Sequence, residues 1–363
     1  FEVVISAFSK GVFNGMTALN LGPALISLVC DGIIVGVGGI LTFLPNIFML
    51  FLALAFLEDS GYMSRVAYVM DGLMGRMGLS GRAFIPMLLG FGCTVPAVMS
   101  ARTLEDTRDR LRTIMVVPFM SCSARLPIYV LFSKMFFGGY AMAAAFSMYV
   151  IGLVVAIIVA LIYSRVVCRN EEKNCLLIEL PEYKSPNART IMIYVWEKIK
   201  DYLTKAGTTI FVGSVLLWVV MNFGPSGMIT DVSESFAASI GKFLVPVLAP
   251  AGLGLWQIGV ALISGIAAKE LVVSSCSVLF SMNINSDTGI EAFHRTLNAM
   301  GFGNLNAYVL MIFCLLYIPC IATIATIHKE TNSWKWTIGM IFMQLLIAWG
   351  VAVLIFQAGS CLI

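Results

Sequence analysis

Three of the nine cysteines stand next to prolines inside apolar stretches of the sequence. They are Cys93 (three residues before Pro96), Cys122 (between Pro118 and Pro127) and Cys320 (directly after Pro319). A proline within a helix removes the hydrogen bond to the carbonyl four residues earlier, so each helix should kink or break there. A thiol beside a free carbonyl offers a soft and a hard ligand together, which suits a transition metal. The three cysteines are therefore candidate metal ligands. The alternative is that Pro and Cys only help kinked helices to pack.

The carbonyls that these prolines leave free are those of Gly92, Ser123 and Leu315. In hydrocarbon, such irregular backbone is tolerated only where protein buries it or a water-filled cavity reaches it. We therefore expect the three positions either to be buried by protein or to be reached by a water-filled cavity, and not to face lipid.

Charged residues in apolar surroundings are the second sign of a functional site. Lys269 and Glu270 interrupt one apolar stretch, and Arg125 lies close to Cys122. Charge at such depth is costly unless it is paired or wet, so Glu270 is a candidate oxygen ligand opposite Cys93. The alternative is structural, with Lys269 paired to Glu270 and Arg125 to another carboxylate. Further candidate ligands are Glu58, Asp59 and Met120, whereas no role is assigned to Cys30, Cys168, Cys175, Cys276, Cys314 and Cys361.

Composition identifies the setting of these residues. The 363 residues are 59% hydrophobic and 12% charged, which is too much apolar surface for a soluble domain to bury. Apolar runs have the length of membrane-spanning helices and show no period-two alternation. We therefore predict an all-α polytopic membrane protein in a lipid bilayer. The predicted spans are 40–57, 113–132, 141–163, 207–221, 307–327 and 336–356.

Several other classes are disfavoured. A net charge of +3 argues against a nucleic-acid partner, and nine cysteines without a CxxC pair favour neither a disulfide framework nor a zinc ribbon. No GxxxxGK[ST] motif occurs, so this chain has no phosphate-binding loop for nucleotide hydrolysis, and we expect it not to be an enzyme.

Two apolar stretches, 83–101 and 256–280, are interrupted near their middle by Gly, Pro or charge. Half-helices that fold back from one side of the membrane fit them better than straight spans, so each is predicted to be a re-entrant hairpin. Residues 165–205 carry eight Lys and Arg, whereas 224–241 carry none. Placing the basic segments in the cytoplasm gives two halves of opposite orientation, each with a re-entrant hairpin and a broken transmembrane helix, as in many secondary transporters.

The resulting division of the chain has four parts. They are an amphipathic, interfacial lead-in (1–39), a first gate-type repeat (40–165), a cytoplasmic connector ending in an interfacial helix near 193–203 (166–205), and a second repeat (206–363). The chain does not start at Met, and we expect it to be a piece of a longer protein.

Several long motifs resemble one known family. They include Leu57-Glu58-Asp59-Ser60-Gly61-Tyr62-Met63-Ser64-Arg65, Gly90-Phe91-Gly92-Cys93-Thr94-Val95-Pro96-Ala97, Pro118-Phe119-Met120-Ser121-Cys122-Ser123-Ala124-Arg125-Leu126-Pro127, Ala267-Ala268-Lys269-Glu270 and Pro319-Cys320-Ile321-Ala322-Thr323. With these motifs the chain resembles the membrane domain of bacterial ferrous iron transport protein B (FeoB) along nearly its whole length.

The resemblance implies a multi-pass protein of the bacterial cytoplasmic (inner) membrane, with two nucleoside-transporter-like gate repeats, that takes up Fe²⁺ as its transported substrate. It implies a metal path past Cys93, Cys122 and Cys320. The family also carries an N-terminal GTP-binding domain, the place of GTP and Mg²⁺, which is absent from this chain. A small cytoplasmic partner protein is implied as well, and a homo-oligomer is allowed.

Two other functions compete with iron transport. A gate-fold transporter of a nucleoside or other small solute would need amide and aromatic side chains at the hairpin tips, where this sequence has Cys, Gly, Lys and Glu. A membrane metal or redox sensor would bind iron through the same cysteines without moving it across.

Overall fold

The computed structural model describes residues 26–167, 183–224, 227–228, 234–280 and 287–362, with a few positions before residue 26 (9, 11–13 and 16–17). Most of the predicted lead-in lies outside the described residues. So does the part of the connector at 168–182, which contains Cys168 and Cys175.

The first half of the described chain consists of helices and the short breaks between them. Its long apolar runs are helical because a helix pairs the backbone N–H and C=O groups within the same segment. After a π-helical segment, Leu28–Ile34, its α-helices are α1 (Val35–Asp59), α2 (Tyr62–Arg76), α3 (Phe84–Gly92), α4 (Thr94–Ser100), α5 (Thr107–Val116), α6 (Leu126–Phe137) and α7 (Ala141–Val167). Short 3-10 turns precede α3 (Gly81–Ala83) and follow α4 (Ala101–Thr103).

The second half follows after the connector helix. Its elements are α8 (Ala188–Tyr202), α9 (Thr208–Asn222), the two-residue antiparallel strands β1 (Phe223–Gly224) and β2 (Gly227–Met228), α10 (Phe236–Leu248), α11 (Trp256–Ala267), α12 (Leu271–Leu279), α13 (Asp287–Ala299), α14 (Asn304–Leu316), α15 (Ile321–Thr331) and α16 (Trp334–Leu362).

Several described helices can cross a membrane by length and composition. Three segments are long and apolar enough to span a membrane by themselves: Thr107–Arg165, Asn304–Thr331 and Trp334–Cys361. The number of spans rises to five if each of two bent helix pairs is counted as one span. The bends are 84° between α1 and α2 and 103° between the α10 and α11 segments. The prediction of an all-α polytopic membrane protein is therefore confirmed.

The order of elements recurs in the two halves. In each, two short helices that pack on each other (α3 with α4, α11 with α12) precede a helix interrupted in its middle. Cys93, which breaks α3 from α4, has φ −150° and ψ 130°, and Ala268, which ends α11, has φ −151° and ψ 134°. The two short-helix pairs are therefore broken by the same backbone conformation.

The interrupted helices also correspond. Two 3-10 turns (Val117–Phe119 and Ser123–Arg125), with an extended stretch at Met120–Cys122 between them, separate α5 from α6. An extended stretch, Tyr317–Cys320, separates α14 from α15. Cys122 has φ −75° and ψ 158°, and Cys320 has φ −62° and ψ 155°. The two cysteines thus hold equivalent places in the two halves.

The connector helix begins earlier than the sequence predicts. We expect it near 193–203, whereas α8 starts after Asn187, whose side chain caps the helix by accepting from the Arg189 N–H. The Asn187 N–H in turn donates to Asp59 Oδ2 at 2.8 Å. This contact ties the start of α8 to the end of α1. The buried face of α8 consists of Ile191, Val195, Ile199 and Tyr202.

Candidate functional site

The three proline-flanked cysteines line one cavity of about 150 Å³. Glu270 lines the same cavity, as do Arg125 and Lys269. Other lining residues come from α1, α3, α4, α8 and both interrupted helices: Asn46, Ile47, Gly92, Thr94, Val95, Ser123, Tyr202, Pro319, Ala322 and Thr323. Elements of both halves therefore surround a single space at the helix breaks.

Backbone geometry explains why each cysteine reaches the cavity. Cys93, Cys122 and Cys320 are all extended, and each stands immediately before a new helical segment. An extended residue at a helix start turns the chain, so its side chain is not packed against the next turn of its own helix. All three are partly exposed, whereas Cys276 and Cys314 within the apolar helices are buried.

Hydrogen bonds fasten the break in α3–α4 to the break in α5–α6. Ser123 Oγ donates to the Gly92 carbonyl at 2.9 Å, and Asn46 Nδ2 lies 3.5 Å from Ser123 Oγ. The Gly92 carbonyl, which Pro96 leaves without a helical partner, therefore accepts from a hydroxyl. A metal would have to compete with that bond for the Gly92 carbonyl.

The buried cations also have partners other than those expected. Arg125 donates to the carbonyls of Met120 at 2.8 Å and Pro118 at 3.2 Å. Lys269 Nζ donates to the Ile318 carbonyl at 2.5 Å and lies 3.3 Å from the centre of the Tyr317 ring. Each cation thus satisfies backbone acceptors that a helix break exposes. The structural alternative, in which these cations pair with carboxylates, does not describe these contacts.

Three of the predicted ligands lie away from the cavity. Met120 is fully buried, and its side chain packs against Gly90. Asp59 binds the start of α8 and lines a different cavity of about 350 Å³. Glu58 lies between that cavity and another of about 1100 Å³, where it hydrogen-bonds with Tyr194. Burial, and then the Glu58 carboxylate, raise the pKa of Tyr194 above its ordinary range, so its hydroxyl stays protonated.

Within the described ranges, no three His, Cys, Asp or Glu side chains are close enough to bind a metal ion together. Cys320 Sγ lies 3.2 Å from the Thr323 hydroxyl, which adds an oxygen beside that thiol.

Sequence reasoning did not single out Asn46 and Tyr202, both of which line the cavity. The signal for Asn46 is its position after Pro45 in an apolar run. Tyr202 had none, because it reaches the cavity from the end of the connector helix.

Comparison with known proteins agrees with this architecture. The family model described as "Nucleoside recognition", for the Gate domain, matches residues 40–136 and 203–334. The model described as "Ferrous iron transport protein B C terminus" matches residues 145–198. An Fe(2+) transporter FeoB of Staphylococcus aureus (strain COL) is 42% identical over 360 residues, covering 98% of this chain and 53% of the relative.

The chain belongs to the FeoB family. Its FeoB relatives include one from Methanocaldococcus jannaschii, 41% identical over 93% of this chain and 50% of the relative. A "Fe(2+) transport protein A/Fe(2+) transporter FeoB fusion protein" of Porphyromonas gingivalis is 36% identical over 92% of this chain and 44% of its own length. The chain spans about half the length of these FeoB relatives. No solved structure matches it.

Proposed function

We propose that this chain is the membrane passage through which Fe²⁺ enters the bacterial cytoplasm. The observation that carries the proposal is the single cavity that Cys93, Cys122 and Cys320 share with Glu270 at the helix breaks. In this proposal the two short-helix pairs are re-entrant hairpins of two inverted repeats. The end of the molecule that carries the four arginines of residues 102–112, here called the arginine-rich end, faces the cytoplasm. The positive-inside rule requires this orientation.

The size of the cavity favours an ion over an organic solute. Its volume of about 150 Å³ is smaller than the roughly 300–1,000 Å³ of pockets that bind small organic molecules. Thiols and a carboxylate are the side chains that bind a divalent transition metal. The nucleoside alternative would need a larger space than this one.

The charges around the cavity favour brief binding. Arg125 and Lys269 line it, and helices α12 and α15 begin beside it with the positive ends of their dipoles. A bare cation is disfavoured in such surroundings, so Fe²⁺ would stay only while thiolate or carboxylate ligands contact it. Incomplete ligation of this kind allows release, which conduction requires.

The full-length protein and its partners belong to the same proposal. We infer that a GTP-binding domain, with GTP and Mg²⁺, occupies part of the length that FeoB relatives have beyond this chain. The name of the fused Porphyromonas relative supports a small cytoplasmic partner of the transport protein A type. A homo-oligomer is compatible with the proposal.

Iron uptake by cysteine variants tests the function. Cys93→Ser, Cys122→Ser and Cys320→Ser should each lower Fe²⁺ uptake into vesicles containing the full-length protein by about tenfold or more, because serine replaces a soft ligand by a weak hard one. Cys276→Ser is the matched control, since Cys276 is buried and does not line the cavity.

Uptake by all three path variants at the level of Cys276→Ser would show that these cysteines only pack. Binding of iron without its accumulation inside the vesicles would favour the sensor alternative.

A further inference from the structure

Two short helices connect the cysteine cavity to the arginine-rich end of the molecule. Helix α4 begins after Cys93 and leads to Arg102, whereas α15 begins after Cys320 and ends beside Glu330. The helices pack side by side although they belong to different halves of the chain. Each therefore has a cavity cysteine at one end and a charged residue at the other.

The charged ends of the two helices are joined by an ion pair. Arg102 Nε lies 2.8 Å from Glu330 Oε1 and 2.7 Å from Oε2, and the guanidinium also reaches Oε1 through a terminal nitrogen at 2.5 Å. The Glu330 side chain is only 5% exposed. The Arg102 side chain is 50% exposed. A forked contact to a nearly buried carboxylate is stronger than an ordinary surface pair, and loss of Arg102 would leave the Glu330 carboxylate without compensation.

An apolar layer lies between the cysteines and this ion pair. Val95 and Met99 of α4, Ala322 of α15, Phe51 of α1 and Tyr202 of α8 all belong to one buried cluster. Cys93 and Cys320 pack against the edge of the same cluster. A hydrated cation cannot cross such a layer unless the helices that form it separate.

A larger space lies beyond the layer. Phe51 and Met99 line the cavity of about 1100 Å³, together with Arg102, Glu58 and Lys198. Val95 and Tyr202 line the cysteine cavity instead. Residues of the same apolar layer therefore line both the cysteine cavity and the larger space. In this structure the layer closes the passage between the two spaces.

We propose that the Arg102–Glu330 ion pair is the latch of the cytoplasmic gate. It holds α4 against α15 and must break before Fe²⁺ leaves the cysteine cavity for the larger space. This inference rests on the proposed function. Tyr202 extends the gate to the connector helix, so a movement of α8 would act on the same layer.

A second ion pair at the same end provides a matched control. Arg82 contacts Glu105 at 2.6 Å, but Glu105 is 85% exposed and both residues belong to the first half. Exposed pairs of this kind contribute little to stability. Breaking it removes a similar charge contact without separating α4 from α15.

The test measures entry of Fe²⁺ into vesicles that contain the full-length protein, with no nucleotide added and an iron-sensitive dye inside. Arg102→Ala and Glu330→Ala should each raise the entry rate about tenfold, in the range typical of biased two-state equilibria. The double variant Arg102→Glu/Glu330→Arg should return the rate towards that of the wild type. Glu105→Ala, which breaks the control pair at the partner that does not line the larger space, should leave the rate unchanged.

A cross-link keeps the test decisive if a single variant fails to fold. The double variant Arg102→Cys/Glu330→Cys, joined by a short bismaleimide, should lose uptake. The variants Arg102→Cys and Glu330→Cys, each treated in the same way, should not. The latch is refuted if the Arg102→Ala and Glu330→Ala variants leak no more than Glu105→Ala, or if the cross-linked protein transports normally. A full-length wild-type protein that transports no Fe²⁺ even with GTP and Mg²⁺ present would overturn the proposed function, and the latch with it.

Discussion

Arg125 and Lys269 show how a helix break is made tolerable inside a membrane protein. Each break removes hydrogen bonds from backbone carbonyls, and an unsatisfied carbonyl in an apolar interior is costly. Arg125 supplies donors to two such carbonyls in the first half, and Lys269 supplies one to Ile318 in the second. These cations therefore stabilise the irregular backbone that carries the cysteines.

Replacing Arg125 should reveal this role as a loss of stability. Arg125→Met leaves the carbonyls of Met120 and Pro118 without donors, so we expect the free energy of unfolding to fall by about 2–4 kcal/mol. Arg125→Lys should lose less, because one ammonium can still reach one carbonyl. Unfolding of the purified protein by titration with a denaturing detergent measures the change.

Lys335→Met provides the control, because Lys335 is exposed at the start of α16 and its loss should change stability by less than about 0.5 kcal/mol. Equal stability of Arg125→Met and Lys335→Met would contradict the proposed role of Arg125.

The partners of these cations could not be read from the sequence. Lys269 and its acceptor are 49 residues apart, in two different helix breaks, so their contact depends on how α11, α12 and α14 pack. Charge in an apolar run predicts that a partner exists. It does not distinguish a backbone carbonyl from a carboxylate.

At the scale of elements, the long helix α7 supports both interrupted helices. A Cβ at Gly152 would lie 2.8 Å from the carbonyl oxygen of Phe119, next to the first break, and 3.4 Å from the side chain of Leu315, next to the second. The absence of a side chain at this position allows α7 to approach the backbone where α5 ends.

Gly152→Ala should therefore destabilise the protein by about 1–3 kcal/mol, because the closest atom belongs to backbone that cannot move aside. Gly350→Ala in α16 is the matched control: nothing lies within 4 Å of its Cβ position, and alanine is the better helix former by up to about 1 kcal/mol. Melting temperatures of the two variants should move in opposite directions. A Gly152→Ala variant as stable as Gly350→Ala would show that α7 does not contact the break closely.

The positions of the helix breaks could be predicted from the sequence. Prolines at 96, 127 and 319 indicate where regular hydrogen bonding fails, and the breaks fall at Cys93, Met120–Cys122 and Tyr317–Cys320. The start of α8 was not predicted, although Asn187 is a good capping residue, because its N–H is held by Asp59 from 128 residues earlier. Local signals identify a break, whereas contacts distant in sequence set where neighbouring helices begin.

At the scale of the whole molecule, two of the contacts between the halves matter for the proposed passage. The halves meet at the cavity, where Cys93 and Cys122 of the first half face the space also lined by Cys320 of the second. They meet again at Arg102 and Glu330. The composition predicted the membrane setting, and the proline-flanked cysteines predicted the first meeting point. The second was hidden, because both residues lie among ordinary charged residues at the ends of helices.

The location of bound iron tests the central claim most directly. Crystals of the full-length protein should be soaked with Fe²⁺ in the absence of oxygen. Data collected above the iron absorption edge should then show an anomalous difference peak that is missing from data collected below the edge. The account predicts this peak in the cavity among Cys93, Cys122 and Cys320, and its loss in the triple serine variant. A peak confined to Glu58 and Asp59, or one that persists in the cavity of the triple variant, would contradict it.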